Sequence, residues 1–339
     1  MSHHVYGDYF GCDVPAVSGG GGGMMSTGLV PGGRRTAVCA AWLFDGTSAT
    51  LRARPMLVFE GGRIVTVDYQ VDPPPDADVV DLAGATLLPG LVDTHVHLAF
   101  DATADPVFNL AHRDDDQALA AMTQAARVAA HGGVTTGRDL GDRDYLSLRL
   151  ADQAGLPTVV CAGPPITTPG GHCHYLGGVA APGPAGMRTA VRDHVERGVQ
   201  VIKVMASGGL LTPGTREDET QFSPDELRAA VDEAHRHGLP VTAHTHGTNA
   251  IVDAIAAGMD GLEHVTFWTV EGVDDAPDDV VADIAHRRIV VGATAGFAPV
   301  AGRPGTGRTP APPGCPRSRA APRARAGGAG RAGPRSWAG

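Results

Sequence analysis

From about residue 88 to residue 293 the chain alternates short apolar runs with helical patterns, and this alternation limits the fold more than any other feature. Candidate strands lie at 90–97, 134–139, 157–161, 199–205, 240–244, 261–264 and 289–293. Helical patterns fill the gaps at 116–130, 142–154, 185–197, 224–237, 249–257 and 277–287. Strand–helix units of this length join parallel strands, because a parallel return needs a crossover of a dozen or more residues. Seven such units predict an α/β fold of the (β/α)8 TIM-barrel type, incomplete, with up to seven strands. Ser223-Pro-Asp-Glu226 marks a helix start, with Ser at the N-cap, Pro at N1 and Glu at N3.

Three further segments flank this region. Residues 36–90 hold short β-rich runs separated by Asp-Gly and Gly-Gly turn signals, which predicts a small antiparallel unit, part of a β-sandwich. Residues 1–35 include five consecutive glycines and are expected to be a disordered leader, with Met24 or Met25 as the natural start. Residues 297–339 form an Arg/Pro/Ala/Gly tail without periodicity. A G+C-rich gene read out of frame is the expected source of that tail; a basic nucleic-acid-binding tail is the alternative. The barrel region is expected to span 91–296.

Charge separates the body from the tail. Residues 1–286 carry all 37 acids, whereas residues 287–339 carry ten arginines and no acid. An acidic body argues against a nucleic-acid surface. No apolar run approaches the 18 residues of a membrane span, so no membrane partner is expected. Five scattered cysteines, an odd number, suit reduced thiols in a cytoplasmic setting. Homo-oligomerisation stays open.

Lys203 is the only lysine among 27 Lys and Arg residues, and it lies in the apolar strand 199–205. A desolvated amine can lose its proton and react, for instance with carbon dioxide to give a carbamate; a guanidinium cannot. In a barrel of this kind the working residues lie at the C-terminal ends of strands. His95 and His97 end the first strand on one face, Lys203 ends the fourth, His244 the fifth and His264 the sixth. Four imidazoles and a carboxylate-like bridge suit zinc or a similar divalent ion. His172 lies in the loop 168–175, where it is a candidate for contacting substrate. Cys173 is expected to pack, Arg138 and Asp139 to form a structural ion pair, and His112, His131, His194, His235, His237 and His286 to be solvated or capping.

Val-Asp-Thr-His-Val-His (92–97), Ile-Lys-Val-Met-Ala-Ser-Gly-Gly (202–209), Val-Asp-Glu-Ala-His (231–235), Val-Thr-Ala-His-Thr-His-Gly (241–247) and Gly-Leu-Glu-His-Val (261–265) resemble the amidohydrolase superfamily. The nearest likeness is to its imidazolonepropionase-like and Xaa-Pro dipeptidase branch, over about residues 38–296. The resemblance implies a hydrolase for amide-like C–N bonds of a small cyclic amide or dipeptide. It implies two divalent metal ions, zinc by type, that activate a hydroxide. His95 and His97 would hold the first ion, carbamylated Lys203 would bridge, and His244 and His264 would hold the second. Lys203 and His172 are thus the candidate catalytic residues. Relatives need an Asp after an eighth strand, whereas here the last acidic residue is Asp283, before the seventh. The resemblance therefore admits a second reading, a truncated or frameshifted chain that binds metal without turnover.

Overall fold

The computed structural model describes residues 35–294, apart from 102, 104 and 152. Of the expected leader, 1–35, only residue 35 is described, and the expected tail, 297–339, lies outside the described residues. The chain first builds a five-stranded sheet from β1 (Thr36–Leu43), β2 (Arg52–Ala53), β3 (Pro55–Glu60), β4 (Arg63–Tyr69) and β5 (Asp78–Leu87). β1 is central: β2 and β3 pair antiparallel on one edge, and β4 continues from β3. β5 runs parallel to β1 on the other edge, from Thr36 against Asp78 to Leu43 against Leu87. The expectation of a purely antiparallel unit is corrected there. The segment from β1 to β5, 44–77, contains β2, β3 and β4 and is long enough for a parallel return, and its Pro-rich part 71–77 leads to the start of β5 beside the start of β1.

The second region comprises β6 (Leu91–Val96), α1 (Pro106–Ala111), α2 (Asp115–His131), β7 (Val134–Asp139), β8 (Thr158–Cys161), α3 (Pro184–Arg197), β9 (Ile202–Met205), α4 (Pro224–Arg236), β10 (Val241–Gly247), α5 (Thr248–Ala257), β11 (Gly261–Thr269), β12 (Gly272–Val273), α6 (Asp278–Arg287) and β13 (Val290–Gly292). β6, β7 and β8 form one parallel sheet. β9, β10, β11 and β13 form another, to which β12 adds an antiparallel edge beside β11. The sheets meet at β8 and β9, where Gln200 N donates to Cys161 O (2.9 Å) and Ile166 N to Lys203 O (2.8 Å). Among the described residues β6 has no strand on its other edge and β13 pairs only with β11, so no closed barrel forms.

Side-chain spacing explains why these helices pack where they do. On α4, Leu227, Ala230, Val231 and Ala234 recur at helical spacing and are all buried, against Ile202, Val241 and Ile255 in one apolar core. Full burial of Leu227 alone contributes about 2 kcal/mol. The Ser223–Glu226 capping box forms as the sequence predicts, with Ser223 N donating to Glu226 Oε2 at 2.8 Å. Gly198 and Gly258 end α3 and α5 in the left-handed region, at φ 86° and 89°.

The helix expected at 142–154 does not form. Asp144 and Tyr145 take positive φ (53° and 63°), and only a 3₁₀ turn follows at Leu146–Leu150. The Asp142 carboxylate accepts from Ser147 N and fixes the loop instead. His194 is another correction: it is buried, with Nε2 donating to Pro164 O (2.7 Å) and the Tyr145 hydroxyl 3.2 Å from Nδ1. Cys173 packs as expected, buried beside Leu176 and Met205.

Candidate metal and active centre

The strand ends bring six histidines and Lys203 into one neighbourhood. Side chains two apart on a strand share a face, so His95 and His97 point together from β6, as His244 and His246 do from β10. His95 Nε2 lies 3.2 Å from His97 Nε2. The His95 and His264 rings are 5.0 Å apart, His244 and His264 4.6 Å, and His172 and His244 4.7 Å. The four histidines expected from the sequence as metal ligands, together with His172, therefore form one cluster, and Lys203 acts electrostatically on each of them. Lys203 is 1% exposed, and its Nζ has no hydrogen-bond partner. His172 approaches from its loop, also buried, with Nδ1 unpartnered. A Cβ at Gly209 would sit 2.6 Å from His172 Nε2, so the Gly-Gly after the lysine strand makes room for this ring.

Sequence reasoning missed His246. Its ring stacks on His264 at 4.5 Å and 16°, and donor atoms of His244, His246 and His264 all lie within 4.8 Å of one another, close enough to hold a metal ion. The signal was present in the sequence: residues 244–246 repeat the His-x-His spacing of 95–97. The local backbone is unusual as well. His264, Val265 and Phe267 have φ of 75°, 51° and 54°, left-handed values that bulky side chains avoid. The β10–β11 register slips there, between Thr245 and Gly247. Such strain persists only where surrounding structure imposes it, and it clusters at working sites.

Glu263 ties the two sheets together across the interior. It is fully buried and accepts from Arg138 Nη2 (2.7 Å) and Thr242 Oγ1 (2.8 Å), while its Oε2 lies 2.9 Å from His95 Nδ1. The expected Arg138–Asp139 pair is thus replaced by Arg138–Glu263. Successive strand residues face opposite ways, so Asp139 cannot share a partner with Arg138. Asp139 accepts instead from Leu98 N and Gly141 N, and burial raises its pKa well above the ordinary carboxylate value. Glu263→Ala strands the Arg138 cation and is expected to cost about 3 kcal/mol in denaturant unfolding, whereas Glu263→Gln costs less. Equal losses for the two variants would contradict the charge argument.

Electrostatics favour neutral donors throughout the centre. Burial is the main cause of each shift: His97 and His246 fall to about 4, His172 to about 3, and His95, His244 and His264 lie well below the ordinary value. Burial also lowers Lys203 to about 8, opposed by Glu263. Neutral imidazoles offer lone pairs to a cation, and a partly deprotonated amine can act as a nucleophile. Together with the orphaned Nζ, this donor set fits divalent ions of the zinc type.

Comparison with known proteins agrees with this chemistry. A family model described as the amidohydrolase family matches residues 86–293. The chain is similar to the ochratoxinase of Aspergillus niger, with 32% identity over 238 residues, covering 60% of this chain and 48% of the relative. It is similar to the enamidase of Eubacterium barkeri, with 28% identity over 220 residues, covering 60% and 50%. The chain spans about half the length of the curated relatives it matches. Among solved structures, a Xaa-Pro dipeptidase with bound methionine in its active site superposes with a TM-score of 0.67 at 28% identity, covering 76% of this chain and 66% of that one. Three described cysteines are free, and no described helix is long and apolar enough to cross a membrane.

Proposed function

The chain belongs to the amidohydrolase family, and from that premise we propose that it hydrolyses an amide-like C–N bond in a small molecule such as a dipeptide or cyclic amide. Ochratoxinase, enamidase and a Xaa-Pro dipeptidase among its similar proteins support this substrate class. The observation that carries the reading is a buried, partnerless Lys203 amine within electrostatic reach of all six histidines. We read the seven parallel strands as an incomplete (β/α)8 barrel, with the centre at their C-terminal ends.

His95 and His97 would hold one divalent ion and His244 and His264 another, both zinc by donor type. Such ions supply Lewis acidity toward a carbonyl and lower the pKa of water to about 7, giving hydroxide at neutral pH. With carbon dioxide, the neutral Lys203 amine would form an N–C bond and release a proton, giving an anionic carbamate that would supply two oxygen donors to the ions. Glu263 orients His95 through Nδ1, and Gly141 O orients His97 through its Nδ1 at 2.9 Å. His172, facing His244 with a free ring nitrogen, would orient the substrate carbonyl or carboxylate. Free cysteines are consistent with a reducing compartment such as the cytoplasm.

The test is a panel of Xaa-Pro dipeptides, N-acyl amino acids and lactams offered to the zinc-loaded full chain. Turnover that stops on chelation is expected. No turnover by protein that holds zinc would overturn catalysis and leave a metal-binding chain without turnover. One observation favours that second reading: Asp283, the last acidic residue among those described, lies on α6 with its carboxylate already paired with Arg287 at 2.8 Å.

A further inference from the structure

We infer that this chain carries a cation site made of three imidazoles, His244, His246 and His264, which fills without Lys203 and without a carboxylate. The inference deepens the proposed function by adding His246 to the second cation position, and depends on it for the use of the ion but not for its binding.

The three rings are close-set, with centroids 4.6 Å apart for His244 and His246, 4.6 Å for His244 and His264, and 4.5 Å for His246 and His264. Zinc–nitrogen bonds of about 2.0–2.1 Å place tetrahedral donors about 3.4 Å apart. The donor atoms here lie within 4.8 Å, so small side-chain rotations bring them into range. Each ring has one nitrogen engaged by an oxygen. His246 Nδ1 meets Thr266 Oγ1 at 2.7 Å, His264 Nδ1 meets Thr294 Oγ1 at 2.8 Å, and His244 Nε2 meets Gly208 O at 3.1 Å. A carbonyl only accepts, so His244 Nε2 carries the proton and Nδ1 keeps its lone pair. The remaining nitrogens of His246 and His264 have no hydrogen-bond partner among the described residues. Orienting each ring by an oxygen on its far nitrogen is how ligating histidines are held.

The backbone supplies a second, independent indication. His264 takes a φ of 75°, outside the strand region, just where the β10–β11 register slips. Three neutral nitrogens suit Zn²⁺, Co²⁺ or Ni²⁺ over Mg²⁺ or Ca²⁺. They also leave a fourth position for water or an anion.

The test uses the full chain stripped of metal and titrated with Co²⁺, whose visible absorption reports tetrahedral nitrogen coordination, with bound zinc counted in parallel. Lys203→Arg and Lys203→Met are expected to keep one equivalent at nearly the affinity of the tighter-retained wild-type site. His246→Asn and His246→Gln are expected to weaken that equivalent by more than about 100-fold, beyond what loss of an outer hydrogen-bond partner causes. His172→Asn, in the same pocket, should leave it unchanged. Folding of each variant is followed by circular dichroism. Either folded lysine variant losing all metal, or either folded His246 variant binding cobalt like wild type, overturns the site. These readouts need no substrate, so a failed hydrolysis panel and a failed metal site are told apart.

Discussion

Lys203→Arg is expected to lower turnover by about a thousandfold or more, equivalent to about 4 kcal/mol of transition-state stabilisation. The substitution keeps the positive charge and most of the length, yet removes the reactive amine that the proposed carbamate needs. A guanidinium stays protonated and cannot form a carbamate. The wild-type amine is already brought down to about 8 by burial, so a fraction is neutral at physiological pH. Stability should respond in the opposite sense with Lys203→Met, which replaces a buried, partnerless ammonium by an apolar chain of similar volume. Because the folded pKa lies below the usual 10.5, the unfolded chain binds the proton more tightly. Wild-type stability therefore rises between about pH 8 and 10.5, by about 3 kcal/mol from this group, and Lys203→Met lacks that increment. Stopped-assay kinetics at saturating zinc and bicarbonate test the first claim, and urea melts at pH 7.5 and 10.5 test the second. Arginine variants with more than a tenth of wild-type turnover would remove the carbamate from the mechanism.

Acid should unfold the metal-free protein well above the pH at which carboxylates titrate. His97 and His246 have folded values near 4, against an ordinary 6.5, and His172 lies near 3. With folded pKa values depressed, protonation favours the unfolded chain. Their contribution is complete above about pH 6.5 and is lost as pH falls toward 4. Each of the first two is worth about 3 kcal/mol across that window. Two such losses approach the whole stability of an ordinary domain, about 5–15 kcal/mol. A far-UV circular-dichroism titration should show a cooperative transition centred near pH 5 in chelator. Bound zinc should shift it downward until protons displace the metal. A metal-free protein still folded at pH 4 would show that water reaches these rings freely.

Much of the fold was readable because local signals and tertiary packing agree. β7 begins and ends where its β-rich run does, and the capping box at Ser223 fixes the start of α4. The failures have physical causes. At 142–154 the helical pattern was overridden by left-handed Asp144 and Tyr145 and by an Asp142 side chain that satisfies the backbone of Ser147. The partner of Arg138 could not be read from its neighbour, because Glu263 is distant in sequence and meets it only across the interior. His-x-His spacing alone does not distinguish His246; what singles it out is contact with His264 across a register slip that has no sequence signature.

The two parallel sheets are joined differently on their two sides. At β8 and β9 main-chain hydrogen bonds sew them together, whereas across the opposite side the Glu263 carboxylate reaches from β11 to His95 and Arg138. One flank is therefore a seam of amides and the other an ionic clasp. Glu263 is fully buried, so salt screens that clasp far less than it screens an exposed ion pair. The histidine cluster lies beside that clasp through His95, so an ion held there would link the two sheets a second time and should raise the stability of the whole molecule.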